Sequence, residues 1–382
     1  MVRLSLWSLN IYLALSDRTV GGLDCANPED WGGFPAGSIA VVSRGACSFN
    51  QKSLEAGKAG ASAVIIYNNA DGALNGTLGE VADGQIPTTG VTQAVGAELV
   101  AAVGTEATFI LDKVIETRQT FNILAETKTG RADNVIMLGA HLDGVGEGPG
   151  INDNGSGSAA ILETAVQLGK VNKVNNKVRF AWWSAEELGL IGSTHYVNDL
   201  VENNPDELAN IAGYLNFDMV GSPNYIIGVY DANQSTHEAP VDVPAGSAEL
   251  EKVFTDYFDS TKQPWVDTEF SGRSDYAAFI ENGIASTGLF TGADDIKTAE
   301  EAALFGGTEG ILMDPNYHTA EDDISNVNQT ALGINVKAIA YATGTLAYDT
   351  SMVNGKTSSG KSGKEKKAKK VKPNVEINRK AA

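Results

Sequence analysis

The side chains best suited to chemistry are histidines and carboxylates that follow short apolar segments. His141 and Asp143 form an H-x-D motif directly after the apolar run NVIMLGA, and a glycine-rich loop then leads to Asp153. One histidine beside one aspartate is usually a structural pair, and Asp153 is also a suitable helix N-cap. The motif alone is therefore compatible with a site but does not define one.

Three further segments are followed by similar groups. Glu186 and Glu187 come after the apolar run VRFAWWSA, and Asp218 comes after YLNF. His318 lies in NYHTAEDD, after a glycine-rich stretch. Adjacent glutamates also favour a helix start by their charge alone, but the recurrence of such groups predicts one shared site. Its expected members are His141, Asp153, Glu187, Asp218 and His318.

The elements that must position this site alternate between strand and helix. NVIMLGA, KVRFAWWSA, IAGYLNFDMV and ASTGLFTG have the composition of strands, whereas GSGSAAILETAVQLGKV, EELGLIGSTHYVNDL and QTALGINVKAIAYATGTLAYD have that of helices. The alternation predicts an α/β domain over residues 116–350, with a mostly parallel sheet flanked by helices. Because ligands bind beyond the carboxyl ends of the strands in such sheets, the site is expected at that edge.

A smaller α+β domain is predicted over residues 21–115. GSIAVVSRGACSF reads as a strand and a turn, NQKSLEAGKAGASAVIIYNN as a helix that leads into a strand, and IPTTGVTQAVGAELVAAV as another strand and helix. Arg44 near Cys47 is compatible with an activated thiolate, but a structural or core cysteine is the more common case. Cys25 and Cys47 are the two cysteines, and their spacing leaves thiols, a disulfide or half a metal site open.

The chemistry of the predicted site is that of a pair of metal ions. Two imidazoles and three carboxylates form a mixed nitrogen and oxygen ligand set, which favours zinc. Paired divalent ions serve phosphatases and aminopeptidases alike, because they generate hydroxide at neutral pH and hold the oxygens of the reacting centre. The residues therefore predict metal-assisted hydrolysis.

Several stretches together resemble one family. GAHLDGV, GINDNGSGSAA, RFAWWSAEELGLIGS, YLNFDMVGSPNY, GRSDYAAF and NYHTAEDD are similar to motifs of the M28 family of dizinc aminopeptidases, notably the secreted fungal leucine aminopeptidases and aminopeptidase Y. The resemblance covers roughly Gly21 to Asp349. It implies a zinc exopeptidase fold, two zinc ions per chain, and removal of apolar, Leu-like N-terminal residues from peptides through a hydroxide that bridges the ions.

The resemblance also implies a role for each matching residue. His141 and Asp218 would bind one zinc ion, Glu187 and His318 the other, and Asp153 both. Glu186 would act as general base, Asp143 would orient His141, and Tyr317 would donate its hydroxyl to the developing oxyanion. Residues that would contact substrate are Met219, Phe290 and Arg273.

RGACSF, AGKAGASAVIIYNN and IPTTGV resemble the protease-associated domain, which implies a noncatalytic insert and a Cys25–Cys47 disulfide. Family members normally carry about a hundred residues before this insert, whereas the chain begins almost at it, so a truncated or misannotated gene product is expected. Some bacterial members also hold the Tyr-His loop with a disulfide. Asp314 and Ala320 provide none here, so other contacts must hold this loop.

Charge and targeting signals restrict the remaining possibilities. The net charge is −20, although ten Lys/Arg and two Glu within 356–380 give the C-terminal segment a local charge of +8. An acidic body of this kind does not bind nucleic acid or anionic membranes by itself, and the tail, residues 351–382, is predicted to be disordered. Residues 1–20 have features of a signal peptide or of a non-native start. We expect a secreted or vacuolar monomeric glycoprotein without a membrane span, with sequons at Asn75, Asn154, Asn233 and Asn328.

Two other functions stay open at this stage. A carboxypeptidase or another hydrolase on the same metal site would need basic residues in its pocket, and only Arg273 is available. An inactive relative that acts as a binding protein would not need the whole set of ligands together with Glu186 and Tyr317. The other two histidines, His195 and His237, are expected to be ordinary helix and loop residues.

Overall fold

The computed structural model describes residues 31–111, except 32, 46, 71, 73, 75, 77, 80 and 81, and residues 118–356. It also gives the backbone of three short strands at 2–3, 11–15 and 114–115. Most of the predicted signal sequence, the tail from residue 357, Cys25 and Asn75 lie outside the described residues. The chain divides between Gln119 and Thr120 into two compact units. No helix in the described part has the length and apolar character that a membrane span requires.

The first unit is built on a five-stranded sheet in the order β5-β4-β3-β2-β6. Its strands β2 to β5 pair in parallel, and β6 pairs with β2 in the antiparallel direction. Strand β2 (Ile11–Leu15) lies within the apolar run that resembles a signal peptide. The remaining elements are β1 Val2–Arg3, β3 Ile39–Ser43, α1 Phe49–Lys58, β4 Ala63–Tyr67, β5 Thr88–Val91, α2 Gln93–Ala101, β6 Glu106–Ala107 and β7 Val114–Ile115.

The second unit is a seven-stranded mixed sheet in the order β13-β12-β14-β11-β9-β10-β8. The four central strands, β14, β11, β9 and β10, run in parallel. The elements of this unit are β8 Ile123–Glu126, β9 Arg131–His141, α3 Gly157–Leu168, β10 Asn176–Trp183, α4 Ile191–Asn203, α5 Pro205–Ala209, β11 Ile211–Phe217, β12 Gly228–Tyr230, α6 Ser247–Thr261, β13 Val266–Thr268, α7 Ala277–Glu281, β14 Ser286–Phe290, α8 Ala299–Phe305, α9 Gln329–Tyr348 and α10 Ser351–Asn354.

Helices cover both faces of this sheet, which confirms the predicted fold class. Strand β9 shows the consequence, because Ile136 and Leu138 pack in the core with α3, α6 and α9, whereas Met137 packs on the other face with α4 and α7. A strand that is buried on both faces needs apolar residues at successive positions rather than at alternate ones. This requirement explains the continuous apolar runs in β9, β10 and β11.

Three details of the second unit differ from the sequence prediction. The helix expected from Glu186 begins only at Ile191, because the preceding residues form a turn that includes Leu190 in the left-handed region, with φ 59°. The short helix α10 occupies Ser351–Asn354, where the disordered tail was expected to begin. Strand β8, which pairs antiparallel with β10 at the edge of the sheet, was not predicted.

Candidate metal centre

The carboxyl ends of three adjacent parallel strands carry the predicted site residues. His141 is the last residue of β9, Asp218 follows the last residue of β11, and Glu187 lies four residues after the end of β10. Strand β9 lies between the other two. The expectation that these groups share one edge of the sheet is therefore met by the topology.

Side-chain distances bring all five expected members together. The Nε2 atom of His141 lies 3.1 Å from Oδ1 of Asp153 and 3.2 Å from Oδ1 of Asp218. The Nε2 atom of His318 lies 3.1 Å from Oδ2 of Asp153 and 3.0 Å from Oε2 of Glu187. The two oxygens of Asp153 thus face different imidazoles, and each imidazole has one further carboxylate beside it.

The donor atoms of this cluster fit divalent metal ions. Oε1 of Glu187 and Nε2 of His318 are buried and have no hydrogen-bond partner, so hydrogen bonding does not account for their position. Ligands that bind zinc tetrahedrally at 2.0–2.2 Å lie about 3.3–3.5 Å from one another, close to the separations between these nitrogen and oxygen atoms. His141, Asp153 and Glu187 also meet within 4.8 Å as possible ligands of a single ion.

The contact between His141 and Asp143 involves the main chain. Nδ1 of His141 lies 3.0 Å from the backbone carbonyl oxygen of Asp143 and 3.8 Å from its carboxylate. A carbonyl only accepts, so this hydrogen bond places a proton on Nδ1, and Nε2 is the ring atom that faces the carboxylates. The orienting group is therefore the carbonyl of Asp143, whereas its carboxylate was expected in this position.

The carboxylate of Asp143 holds the two glutamates instead. It accepts hydrogen bonds from the backbone N–H groups of Glu186, at 3.0 Å, and Glu187, at 3.3 Å. A helix that began at Glu186 would leave these N–H groups without intrahelical partners, and here Asp143 satisfies them in a turn. The same residue thus connects the end of β9 to the segment after β10.

Ser274 is a site residue that the sequence prediction missed. Its hydroxyl donates to Oδ2 of Asp218 at 2.6 Å and accepts from Nδ2 of Asn216 at 2.8 Å. The amide oxygen of Asn216 in turn accepts from the hydroxyl of Tyr214, which accepts from the indole of Trp183. Ser274 lies in the motif GRSDYAAF, and this position was the available signal.

The loop that carries Asp153 is fixed from several sides. Oδ1 of Asn154 accepts from the N–H groups of Gly157 and Met219, and Nδ2 of Asn154 donates to the carbonyl of Phe217. Asn154 is buried, so the folded loop has no room for a sugar at this sequon. Earlier in the same loop, a side chain at Gly148 would collide with the backbone of Thr319.

Three residues of the site have left-handed backbone conformations although none is glycine. Ala185 precedes Glu186 with φ 55°, Met219 follows Asp218 with φ 60°, and His318 itself has φ 57°. Such conformations cost about 1–3 kcal/mol each and persist only where the surrounding structure imposes them. Here they mark the points where the chain turns to direct a side chain into the cluster.

Burial and charge shift the pKa values of the acidic groups in opposite directions. Burial alone would raise the pKa of Asp153, but the imidazoles of His141 and His318 beside it lower the pKa below the usual range. Burial raises the pKa of Glu186 well above its ordinary value. Burial also raises the pKa of Asp275, next to Ser274, to about 7. The carboxylate of Asp153 is thus favoured in its charged form, and Glu186 has the raised basicity expected of a proton acceptor.

The residues expected to contact substrate lie around this cluster. The ring of Tyr317 stacks on the imidazole of His318 with centroids 3.8 Å apart, and its hydroxyl lies 3.5 Å from the guanidinium of Arg273. Arg273 also forms an ion pair with Asp294 at 2.9 Å. Met219 is buried, whereas Phe290 is half-buried at the end of β14.

The remaining histidines lie outside the cluster. His195 in α4 and His237 in a loop are both exposed. A second group of carboxylates, Asp231, Glu251 and Asp267, also comes within metal-binding distance. Asp231 accepts three backbone N–H bonds from residues 235–237, and Glu251 accepts from the backbone and amide of Asn233. Loop anchoring accounts for these two side chains, so we assign no metal to this group.

Comparisons with known proteins agree with this geometry. Residues 122–343 match Peptidase family M28, and residues 13–99 match the PA domain. The chain is 47% identical over 331 residues to leucine aminopeptidase 2 of Trichophyton rubrum, which covers 86% of the chain and 66% of that relative. It is 48% identical over 331 residues to an aminopeptidase of Pseudomonas aeruginosa, with coverages of 85% and 61%. The chain therefore spans slightly less than two thirds of the length of these relatives.

Solved structures show the same similarity. BSAP, a zinc aminopeptidase from Bacillus subtilis, has a TM-score of 0.65 and 28% identity, over 90% of the chain and 76% of that structure. An aminopeptidase from Aneurinibacillus sp. strain AM-1 has a TM-score of 0.66 and 28% identity, over 89% of the chain and 75% of that structure. The fold, the site at the strand ends and the match over 122–343 lead to one conclusion: the chain belongs to peptidase family M28 and contains a PA domain.

Proposed function

We propose that the protein is a metal-dependent aminopeptidase that releases apolar, Leu-like residues from the N-termini of peptides. The observation that carries the proposal is the position of Asp153, whose two oxygens lie 3.1 Å from the Nε2 atoms of His141 and His318. A carboxylate between two imidazoles, each with a second carboxylate beside it, is a ligand set for two ions. The relatives named above are leucine aminopeptidases and zinc aminopeptidases, which supports this reading.

The proposed ligands divide into two sets with one shared member. His141 and Asp218 would hold one zinc ion, Glu187 and His318 the other, and Asp153 both. When bound, two zinc ions supply an ionised water at neutral pH and polarise the scissile carbonyl. Nε2 of His141 would be the ring atom that binds its ion, because Nδ1 donates its proton to the carbonyl of Asp143.

The protein's own groups would move the protons and place the substrate. Glu186 would take the proton of the attacking water and pass it to the leaving amine, for which its raised pKa is suited. The hydroxyl of Tyr317, near Arg273, would donate to the oxyanion of the tetrahedral intermediate. Met219 and Phe290 would form part of the apolar pocket for the N-terminal side chain.

The ion pair of Arg273 bears on the alternative of a carboxypeptidase. Such an enzyme needs a free cation to bind the C-terminal carboxylate of its substrate, and Asp294 already neutralises this guanidinium. The aminopeptidase assignment is therefore the better supported one. A substrate pair separates them directly: leucine should be released from a leucyl chromogenic amide, which has no free C-terminus, but not from N-acetyl-Gly-Gly-Leu, in which only the C-terminus is free.

Domain organisation and location complete the proposal. We propose that residues 21–115 are a noncatalytic protease-associated domain, that residues 116–350 are the peptidase domain, and that the protein is a secreted or vacuolar monomer. Cys47 is not a free thiol in the structure, which supports a Cys25–Cys47 disulfide and an oxidising compartment. Secreted protein should show no titratable thiol before reduction, and two titratable thiols would argue against both points.

The decisive experiment measures metal and activity on the same purified full-length chain. We expect about two zinc ions per chain, loss of leucyl amide hydrolysis in a chelator and its return on addition of Zn²⁺. Full activity after exhaustive metal removal would exclude the proposed mechanism. Two bound ions without hydrolysis would instead favour a binding protein built on the same fold.

A further inference from the structure

Asp322 is a buried carboxylate outside the proposed ligand set, and it holds the backbone of the loop that carries Asp153. Its Oδ1 and Oδ2 accept from the N–H groups of Asn152, at 2.9 Å, and Asp153, at 3.0 Å. Its backbone carbonyl accepts from the N–H of Ile151 at 3.0 Å. Asp322 thus accepts three successive backbone N–H groups. In the described part of the chain, every partner of its side chain is a neutral N–H donor.

A buried amide links Asp322 to the beginning of the loop that carries His318. Nδ2 of Asn326 donates to Oδ1 of Asp322 at 2.9 Å and to both oxygens of Asp314 at 3.0 Å. Asp314 also accepts from Nδ2 of Asn152 at 2.7 Å. Residues 314 and 322 enclose His318, so both ends of its loop are tied to the loop that carries Asp153. These contacts do here what a disulfide across the Tyr-His loop would do.

We propose that Asp322 is a positioning residue for both metal ions at once. The inference rests on the proposed two-metal function. Asp153 has one oxygen for each half of the site, so the position of its backbone sets the distance from each oxygen to its imidazole. Asp322 is also the last residue of the segment 314–322, which carries His318. The same side chain therefore fixes the position of His318 relative to Asp153. A carboxylate that accepts from two adjacent backbone N–H groups is also a strong hydrogen-bonding arrangement.

The test compares Asp322→Asn with Asp323→Asn in the full-length chain. The amide at 322 keeps the size of the side chain but offers a donor where one backbone N–H needs an acceptor. Asp323 is exposed and also accepts a backbone N–H, so its variant makes the same change in charge at the next position. We expect Asp322→Asn to weaken binding of both ions by about 10–100-fold, and Asp323→Asn to leave both affinities unchanged. Zinc affinities come from chelator competition, and the absorption spectrum of Co²⁺-substituted protein reports ligand geometry without an activity assay.

A second variant keeps the proposal testable if Asp322→Asn does not fold. Asn326→Ala removes the link to Asp314 but leaves both backbone contacts of Asp322, so it should weaken the ion held by Glu187 and His318 and spare the other. Wild-type affinities and Co²⁺ spectra in whichever variants fold would overturn the proposal, as would a loss of stability with unchanged affinities. Failure of the wild type to bind two ions would instead refute the proposed function, and amide hydrogen exchange at residues 152 and 153 would still report whether Asp322 holds this loop.

Discussion

The hydroxyl of Ser274 points at Asp218 and occupies one oxygen of that carboxylate. Oδ2 of Asp218 accepts the hydroxyl at 2.6 Å, while Oδ1 lies 3.2 Å from Nε2 of His141. The indole of Trp183 can only donate a hydrogen bond. Tyr214 accepts it and donates to Asn216, and Asn216 donates in turn to Ser274, so each group passes its proton toward Asp218. At the end of this series, the Ser274 proton must point to Asp218, and this leaves Oδ1 for a metal ion.

Ser274→Ala should therefore weaken the ion held by His141 and Asp218. We expect a loss of about 10–100-fold in affinity for that ion, with little change for the ion held by His318. Zinc affinities measured by chelator competition check this prediction. Ser271→Ala, an exposed serine three residues earlier, is the matched control. Equal affinities in both variants would show that the hydroxyl does not position Asp218.

Glu186 and Glu187 should respond differently to the same change. Glu186→Gln removes the proton acceptor but no proposed ligand, so zinc content should stay near two while kcat falls by about 10²–10⁴-fold. Glu187→Gln should lower zinc content, because Oε2 of Glu187 lies beside His318. Zinc analysis and kcat on both variants separate the roles. The opposite pattern would reverse the assignment of the two glutamates.

A change to a ligand of one ion should remove that ion alone, whereas a change to Asp153 should remove both. His318→Ala should retain about one zinc ion, since this imidazole faces only Asp153 and Glu187. Asp153→Ala should lose affinity for both ions, because each of its oxygens serves a different half. His195→Ala, on an exposed helix position, is the control and should bind two ions. Retention of one ion by Asp153→Ala would contradict the bridging role.

Asp231 allows a test of stability that does not involve the proposed ligands. Asp231→Asn should lower the free energy of unfolding by about 1–3 kcal/mol at pH 7, because Asp231 is buried and accepts backbone N–H groups of residues 235–237.

The size of this effect should depend on pH. Burial alone would raise the pKa of Asp231, but hydrogen bonds from Thr236, His237 and Ser235 lower it in the folded state. Its contribution to stability is thus full above the unfolded pKa of about 3.9 and is lost as the pH falls through the folded value. The difference from wild type should shrink on acidification below about pH 4. Denaturant unfolding of both proteins in a chelator, at pH 7 and below pH 4, measures it.

The sequence was sufficient to predict the four central strands of the second unit, and through them the place of the site. Buried parallel strands give continuous apolar runs, and a polar residue directly after such a run must lie at the carboxyl edge of the sheet. This reasoning located His141 and Asp218 correctly. It also placed Glu187 at this edge, although the helix after Glu186 was predicted to begin five residues too early.

The contacts that hold the ligands could not be read from the sequence. Asp143 uses its carbonyl on His141 and its carboxylate on the N–H groups of Glu186 and Glu187, and spacing does not distinguish the two atoms. Ser274 contacts Asp218, and Asp322 contacts the backbone of Asn152 and Asp153, across long stretches of sequence that only the fold brings together. The positive φ of Ala185, Met219 and His318 was equally hidden, because only a few per cent of non-glycine residues adopt this conformation.

The arrangement of the site at strand ends couples metal binding to the folding of the whole peptidase unit. His141 and His318 are 177 positions apart in the chain. The other proposed ligands lie between them, on segments that follow different strands of the sheet. Chain segments this distant meet late, after the loop entropy of each crossover has been overcome. An ion that binds only the assembled set stabilises the native state by mass action. The zinc content of a preparation would thus report the fraction of chains that are fully folded.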